Sequence, residues 1–216
     1  MFDVYGTLLD VDSAVRRCDP GGALPVGFSQ SWRAKQLEYS WTLQAMGTYR
    51  DFAAVTSDAL DHVIAATGAG AVLRQSLLEA YRCLDAFPEV DVVLRALLSS
   101  GARLAVLSNG TAPMLADALE AAGIGPCFET VISVDEIGVY KPDPRVYRHA
   151  AHRLAAAASQ IDFVSSNAWD AAGARRCGMR VTWVNRRAGP DEYQLADTGS
   201  AVADLRGLLP AGTLGG

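Results

Sequence analysis

Short apolar runs recur along the chain and predict the buried strands of a sheet. These runs are rich in β-branched or aromatic residues and occupy positions 1–4, 103–107, 130–133, 161–164 and 180–184. Alanine- and leucine-rich stretches of helical length, such as residues 114–122 and 146–156, lie between the later runs. Because strands and helices alternate, the pattern predicts an α/β fold built on a parallel sheet.

The pattern is different in the first part of the chain. Long helical patterns occupy residues 31–46 and 52–66, with no convincing strand around them. A Gly- and Pro-rich stretch at residues 20–27 is typical of a loop leading into the first long helix. We therefore predict a helical cap, residues 11–83, inserted into an α/β core formed by residues 1–10 and 84–216.

The composition is that of a globular protein. The 216 residues are enough for one substantial core and a smaller accessory domain. Hydrophobic residues make up 50% of the chain and charged residues 20%, which argues against general disorder. The formal net charge of -5 gives no reason to expect nucleic acid or an anionic membrane as a partner.

The sequence also carries information about its compartment. No apolar run approaches the roughly 20 residues of a membrane helix, and no charged segment leads into a signal core. The four cysteines are scattered, without a CxxC pair, so we expect free thiols and no metal site. A soluble cytoplasmic protein is the expectation.

A first candidate for chemistry is FDVYGTL, residues 2–8, which places Asp3 at the end of a predicted strand. Ligands of open α/β sheets bind at the carboxyl ends of strands, so Asp3 is a candidate catalytic carboxylate. Taken alone, the segment favours a simpler interpretation, in which Asp3 and Thr7 stabilise a turn.

A second predicted strand ends in LSNG, residues 107–110, and brings Ser108 and Asn109 to the same edge. Thr111 is suited to cap the next helix, and the amides and hydroxyls of this loop are suited to hold an anion. Judged alone, Ser108 and Asn109 are more typical of loop or capping residues.

The segment YKPDP, residues 140–144, fixes Lys141 before a stiff turn. Asp143 as N-cap and Pro144 behind it can start a helix that contains Tyr147. A lysine near a catalytic carboxylate would orient it and offset the cost of its burial. An ordinary surface lysine beside a turn is the equally weighted alternative.

A final motif, SSNAWD at residues 165–170, follows another predicted strand. Asn167 can cap the next helix and Asp170 can occupy its third position, so capping alone would account for both. The combination with the other three motifs favours a shared site.

Together, FDVYGTLLD, LSNG, YKP and VSSNAWD resemble the haloacid dehalogenase superfamily, specifically its L-2-haloacid dehalogenase branch, over almost the whole chain. The resemblance implies a Rossmann-like parallel sheet core with an inserted helical cap, no cofactor, no metal and a homodimer. It also implies hydrolysis of short-chain L-2-haloalkanoic acids to D-2-hydroxy acids.

Two departures separate the chain from the phosphatases of that superfamily. Those enzymes carry a second acid where this chain has Tyr5, and a magnesium-binding carboxylate where it has Ser166. Halide leaves as a stable anion and needs neither a proton nor a metal, so both departures suit dehalogenation. A magnesium-dependent phosphatase is the runner-up function.

The resemblance further implies a mechanism through an aspartyl ester. Asp3 attacks C2 of the substrate, expels halide with inversion, and forms an ester that water hydrolyses. Orientation of Asp3 is assigned to Thr7, Lys141 and Ser165.

The same resemblance assigns the hydrolytic water to Asn167 and Asp170, which would place or deprotonate it. Tyr147 would support Lys141 or the substrate.

Substrate binding is assigned to a further set of residues. Ser108 and neighbouring amides would bind the substrate carboxylate, and Arg33, with Asn109 or Trp169 nearby, would receive the halide. Arg33 lies in SWRAKQLEY, residues 31–39, which also resembles the branch, although an ordinary snorkelling arginine is the alternative. Helical spacing puts Leu37 on the face of Arg33. The other residues implied to contact substrate are Tyr5, Phe52 and Trp169.

The start of the chain is irregular for this family. Only Met1 and Phe2 precede Asp3, whereas a strand usually has about 5 to 6 residues. We therefore expect the natural chain to extend upstream of Met1. A noncatalytic homologue that lost function through truncation is the alternative from a different class.

Overall fold

The computed structural model describes residues 1–196 and 201–210 and alternates helices with parallel strands. The helices are α1 (Ser13–Cys18), α2 (Phe28–Ala45), α3 (Phe52–Thr67), α4 (Arg74–Tyr81), α5 (Val90–Ser99), α6 (Ala112–Ala121), α7 (Pro144–Arg153) and α8 (Ala168–Arg176). The strands are β1 (Ala105–Ser108), β2 (Thr130–Ser133), β3 (Asp162–Ser165), β4 (Arg180–Val184) and β5 (Ala201–Val202).

The strands form a parallel sheet in the order β2-β1-β3-β4-β5, with the N-terminal segment between β1 and β3. Phe2 forms parallel bridges with Val106 of β1 and with Val164 of β3, and so joins the two halves. Helix α6 packs against β2, and α8 packs against β3 and β4. The predicted α/β fold with a parallel sheet is confirmed.

The first predicted strand, residues 1–4, is wrong in extent because Phe2 alone forms β-bridges there. The amide of Asp3 still donates to the carbonyl of Val164 at 3.0 Å, but the chain then turns around the carbonyl of Val4. Gly6 in this turn has a φ of 85°, a conformation that glycine adopts without steric cost. The turn therefore ends the pairing as soon as Asp3 has reached the sheet edge.

The other predicted strands are close to the observed ones. The ranges 130–133 and 180–184 match β2 and β4, while β1 and β3 are displaced by one or two residues from their predictions. Strand β5 was not predicted, because two residues are too few to form a recognisable alternation.

The segment from the start of α1 to the end of α4 contains these four α-helices, one short 3-10 helix and no strand, as the helical pattern of this part predicts. Helix α2 packs against α3, and α1 packs against α4. The sequence pattern located α2 and α3 but missed α1 and α4, which have 6 and 8 residues and too few turns to show a period. The proposed limits of the cap, residues 11–83, stay a prediction.

A single apolar cluster connects the helical segment with the sheet. Trp32 and Leu60 from the helices belong to the same buried cluster as Val106 and Phe163 from the strands. The four cysteines are free thiols. Among the residues described, no helix combines the length and apolar character that crossing a bilayer requires.

Local capping starts the helices that follow the sheet edge. The Thr111 hydroxyl accepts a hydrogen bond from the amide of Met114 at 3.2 Å and caps α6. Asp143 accepts from the amide of Arg145 at 2.9 Å and caps α7, with Pro144 in its first turn. Both capping predictions are confirmed.

Candidate active site

The carboxyl ends of the N-terminal segment, β1 and β3 lie side by side, so their loops meet at one edge of the sheet. Asp3, Ser108 and Ser165 end these three segments and are all buried. Lys141 reaches the same edge from the loop before α7. The structure thus brings the four motifs together, as expected for an open parallel sheet.

The Asp3 carboxylate is buried, with 5% of the residue exposed, and is surrounded by donors. Its Oδ1 accepts from Lys141 Nζ at 3.0 Å. Its Oδ2 accepts from Thr7 Oγ1 at 2.9 Å, from Asn167 Nδ2 at 2.7 Å and from Ser165 Oγ at 3.4 Å. These bonds hold both oxygens in fixed directions, and charge-assisted hydrogen bonds of this kind are among the stronger ones in proteins.

Lys141 is a buried cation with all three ammonium protons engaged. Its Nζ donates to Asp3 at 3.0 Å, to Asp170 Oδ2 at 2.8 Å and to the carbonyl of Leu107 at 2.6 Å. Burial alone would lower the pKa of Lys141, but the Asp170 and Asp3 carboxylates outweigh it and raise that pKa. The interpretation of Lys141 as an ordinary surface lysine is therefore wrong.

Asp170 is the second buried carboxylate, with 0% of the residue exposed. Its Oδ1 accepts from the Tyr147 hydroxyl at 2.6 Å, and its Oδ2 accepts from Lys141. Ser165 Oγ lies 3.3 Å from Asp170 Oδ2 and 3.4 Å from Asp3 Oδ2, so its single proton serves one carboxylate at a time. Burial raises the pKa of Asp170 to about 6, although Lys141 opposes the shift. Tyr147 thus bonds to Asp170, which in turn holds Lys141.

Asn167 occupies the N-cap position of α8, but its side chain does not cap the helix. Its Nδ2 donates to Asp3 Oδ2 and, at 3.1 Å, to the carbonyl of Tyr5. The interpretation of Asn167 and Asp170 as capping residues alone is wrong, because both side chains point to the charged cluster.

Ser108, the last residue of β1, and Asn109, the first residue of the loop that follows, are both buried. The Ser108 hydroxyl accepts from the amide of Gly110 at 3.1 Å, and Asn109 Oδ1 accepts from the amide of Lys141 at 3.1 Å. Asn109 therefore ties this loop to the segment that carries Lys141. The assignments of substrate carboxylate to Ser108 and of halide to Asn109 stay predictions.

Arg33 approaches this edge from the helical segment. It is half-buried on α2, its Nη1 donates to Gln36 Oε1 at 3.4 Å, and it lines a cavity of about 530 Å³ together with Ser166 and Asn167. Leu37 lies one turn further along α2 and is half-buried. The shared cavity connects the helical cation with the Asn167 side chain that touches Asp3.

Aromatic rings form the wall beside Asp3. The Tyr5 ring stacks on Tyr81 with centroids 5.5 Å apart and lies 6.1 Å from Phe52. A Cβ at Gly110 would come within 2.8 Å of the Tyr5 ring, so that glycine is required for the contact. Within residues 1–196 and 201–210, the buried Tyr5 hydroxyl has no hydrogen-bond partner. Burial raises the pKa of Tyr5, which keeps this phenol neutral.

Trp169 is half-buried in the first turn of α8 and packs edge-to-face on Trp41 of α2, with centroids 5.4 Å apart. The contact places Trp169 where the helical segment meets the sheet edge. Its role in binding substrate stays a prediction.

Three further residues surround the cluster and were not predicted. Gln36 accepts from Tyr81 at 3.1 Å as well as from Arg33, and Arg186 donates to the carbonyl of Thr7 at 2.7 Å. Arg186 lies just after β4, so the rule that strand ends form sites could have identified it. No local signal distinguishes Gln36 and Tyr81 from other helical residues.

The described residues hold no group of three His, Cys, Asp or Glu side chains arranged to bind a metal ion. The position between the Asp3 and Asp170 carboxylates is occupied by the Lys141 ammonium.

Comparison with known proteins places these motifs in a family context. The family model of haloacid dehalogenase-like hydrolases matches residues 1–178. The chain is similar to (S)-2-haloacid dehalogenase 1 of Pseudomonas sp. strain CBS-3, with 44% identity over 96% of this chain and 93% of the relative. It is also similar to the (S)-2-haloacid dehalogenase of Pseudomonas sp. strain YL, with 45% identity over 96% of this chain and 91% of the relative.

A solved structure shares the fold over nearly the same length. It is L-2-haloacid dehalogenase from Xanthobacter autotrophicus with chloropropionic acid covalently bound, and it superimposes with a TM-score of 0.83 at 31% identity. The match covers 96% of this chain and 94% of that chain.

Proposed function

The chain belongs to the (S)-2-haloacid dehalogenase branch of the haloacid dehalogenase-like hydrolases, and on that premise we propose that Asp3 displaces halide from C2 of short-chain L-2-haloalkanoic acids. The observation that carries the proposal is the buried Asp3 carboxylate, held by Lys141 and by three further donors. A carboxylate is a weak nucleophile, so its reactivity depends on this alignment and on exclusion of water.

In the first step, an Asp3 oxygen forms a bond to C2 while the carbon–halogen bond breaks. The halogen leaves with the bonding electron pair as halide, and Arg33 supplies the positive charge that receives it. No proton is needed for this departure, which agrees with the presence of neutral Tyr5 where phosphatases of the superfamily have an acid.

In the second step, water gives a proton to Asp170 and attacks the carboxyl carbon of the Asp3 ester. The bond between that carbon and the oxygen attached to C2 then breaks, and the departing oxygen takes up the proton as the D-2-hydroxy acid leaves. We assign the orientation of this water to Asn167, because its amide lies 2.7 Å from Asp3 Oδ2. Asp170 is assigned the proton, since a base with a pKa of about 6 is ionised at neutral pH and is still basic enough to accept it.

The proposal includes independence from metal ions. Lys141 places a positive charge between Asp3 and Asp170, where it supplies the charge compensation that a divalent ion gives other members of the superfamily. Ser166 offers no carboxylate to a cation. The alternative function, a magnesium-dependent phosphatase, therefore lacks a carboxylate ligand for its metal at position 166.

We also propose an oligomeric state and a cellular location. The resemblance to the dehalogenase branch supports a homodimer, and light scattering is expected to give about twice the chain mass of 22.9 kDa. Free thiols are typical of a reducing compartment and support a cytoplasmic location.

The function is tested by incubating the protein with L- and D-2-chloropropionate, with and without a chelator, while chloride and product configuration are measured. We expect chloride release from the L-isomer alone, a D-hydroxy acid product and no effect of the chelator. Metal-stimulated release of phosphate from phosphate esters, without chloride release, would contradict the proposal.

A single turnover in water labelled with heavy oxygen tests the covalent step. We expect the label to appear in the Asp3 carboxyl group of the enzyme, while the product takes an unlabelled oxygen from Asp3. Label that enters the product directly would show that water attacks C2 and that Asp3 is not the nucleophile.

A further inference from the structure

We propose that Arg186 is a positioning residue for the nucleophile and acts on Asp3 through Thr7. The inference rests on the proposed function, in which Asp3 attacks the substrate. Arg186 lies in the loop that follows β4 and is not a member of the four motifs.

The Arg186 guanidinium is held by directed contacts on several sides. Its Nη2 donates to the carbonyl of Thr7 at 2.7 Å, and its Nη1 donates to Glu89 Oε1 at 2.6 Å. Its Cζ lies 3.7 Å from the centroid of the Phe87 ring. A planar guanidinium makes these two bonds from two nitrogens in a fixed geometry, whereas a lysine at this position would offer one nitrogen on a differently shaped side chain.

Thr7 connects Arg186 to the reacting carboxylate of Asp3. Its hydroxyl accepts from the amide of Ser166 at 2.8 Å and therefore directs its own proton to Asp3 Oδ2, at 2.9 Å. Because Arg186 holds the main-chain carbonyl of Thr7, it helps to fix where this hydroxyl lies. A continuous series of hydrogen bonds thus runs from Glu89 through Arg186 and Thr7 to Asp3.

Burial strengthens the ion pair between Arg186 and Glu89. The Arg186 and Glu89 side chains are only 13% and 9% exposed, so solvent screens their attraction little. A displacement of the Thr7 hydroxyl would tilt the carboxylate away from the line of attack, and errors of about 1 Å in such alignment cost up to roughly a hundredfold in rate.

The test is a double-mutant cycle with Arg186→Lys and Thr7→Val, measured as chloride release from L-2-chloropropionate. Lysine keeps the charge next to Glu89 but replaces the two bonding nitrogens and the planar contact with Phe87 by one ammonium nitrogen, and valine removes the hydroxyl through which Arg186 acts. We expect Arg186→Lys to lower kcat by roughly tenfold with KM within about twofold of the parent. In the Thr7→Val background the same change is expected to alter kcat by less than about twofold.

The matched control is Arg95→Lys, an exposed arginine paired with Asp91 on α5, which is expected to leave kcat and KM unchanged. Thermal unfolding of each variant shows whether it is folded at the assay temperature. Should Arg186→Lys fail to fold, Glu89→Gln replaces it in the cycle, because it loosens the guanidinium while keeping the shape of its partner.

The outcomes separate this inference from the proposed function. An unchanged kcat in Arg186→Lys, or an equal loss in both Thr7 backgrounds, would overturn the positioning role, since a purely structural effect would be independent of Thr7. Absence of chloride release by the unmodified protein would overturn the dehalogenase function and with it the basis of this inference.

Discussion

Two buried carboxylates share one ammonium group at the centre of the site, and their neighbours differ. Thr7 and Asn167 donate hydrogen bonds to Asp3 Oδ2, whereas Asp170 accepts a hydrogen bond from the Tyr147 hydroxyl. Lys141 lies between the two at 3.0 and 2.8 Å. Different surroundings of two acids are how one site can support two roles, here the proposed nucleophile Asp3 and the proposed base Asp170.

Replacement of Asp3 by asparagine tests the nucleophile directly. Asn keeps the shape of the side chain but has no carboxylate oxygen to attack C2, so we expect kcat for chloride release to fall by at least roughly a thousandfold. Circular dichroism should show a retained fold. Asp162→Asn changes an exposed carboxylate at the start of β3 and is expected to keep full activity. Sustained turnover by an Asp3→Asn protein verified by mass would exclude Asp3 as the nucleophile.

The pH dependence should follow Asp170. Its pKa of about 6 means that the carboxylate is ionised above that pH and protonated below it. Only the ionised form can accept a proton from water, so kcat is expected to fall by up to about tenfold per unit as the pH drops below 6. Steady-state rates between pH 4.5 and 8 check this expectation. Intact mass should also show the Asp3 ester accumulating at low pH, and a flat profile without ester would count against Asp170.

At the scale of elements, the contact between α7 and α8 holds Tyr147 against Asp170. Gly173 in α8 faces Tyr147, and a Cβ there would lie 2.6 Å from the Tyr147 hydroxyl oxygen and 2.8 Å from Pro142 Cβ. A glycine inside a helix usually costs about 1 kcal/mol relative to alanine. The close approach of α7 and α8 leaves no room for a side chain at position 173, which accounts for the glycine there.

Gly173→Ala should therefore destabilise the protein, against the usual effect of alanine in a helix. Overpacking typically costs about 1–3 kcal/mol, which exceeds the gain in helix propensity of about 1 kcal/mol. We expect a lower free energy of unfolding in urea and a lower kcat, since Tyr147 is pushed from Asp170. Ala172→Gly, at the preceding position, measures the propensity effect and should leave kcat unchanged. A higher free energy of unfolding for Gly173→Ala would show that Tyr147 and Pro142 can move away from the added Cβ without loss of stability, and the prediction would be wrong.

At the scale of the whole molecule, helix α2 connects the helical segment to the loops at the sheet edge. Trp41 packs on Trp169, and Gln44 accepts from the amide of Tyr140 at 3.1 Å and donates to Asp143 at 3.2 Å. The loop between Tyr140 and Asp143 carries Lys141. Contacts made by α2 therefore bear both on Trp169, a predicted substrate contact, and on the loop that holds the central cation.

Removal of the Trp41 ring should weaken substrate binding. An aromatic pair contributes about 0.5–1.5 kcal/mol beyond its buried area, so Trp41→Ala is expected to raise KM by roughly three- to tenfold. Trp41→Phe retains a ring against Trp169 and serves as the matched control, with KM close to that of the parent. Steady-state chloride release measures both. An unchanged KM in Trp41→Ala would show that this contact does not support the pocket.

Local patterns in the sequence were sufficient for the fold class and for the residues of the motifs. Apolar runs located β2 and β4 at their observed bounds, because a buried strand is recognisable from its own residues. Position at the end of a predicted strand made Asp3 and Ser108 candidates, since ligands of open α/β sheets bind at the carboxyl ends of strands. For Lys141 the local pattern left a surface lysine equally weighted, and only the family resemblance assigned it to Asp3. The resemblance to a known family then identified the chemistry.

Tertiary structure alone decided what these side chains bond to. A capping residue and a site residue can have the same spacing from a helix start, so the sequence left Asn167 and Asp170 undecided until their partners were visible. Arg186 lies 179 residues from Thr7 in the chain, and no local pattern links them. Hydrogen bonds between distant segments depend on how the elements pack, and that packing exists only in the folded molecule.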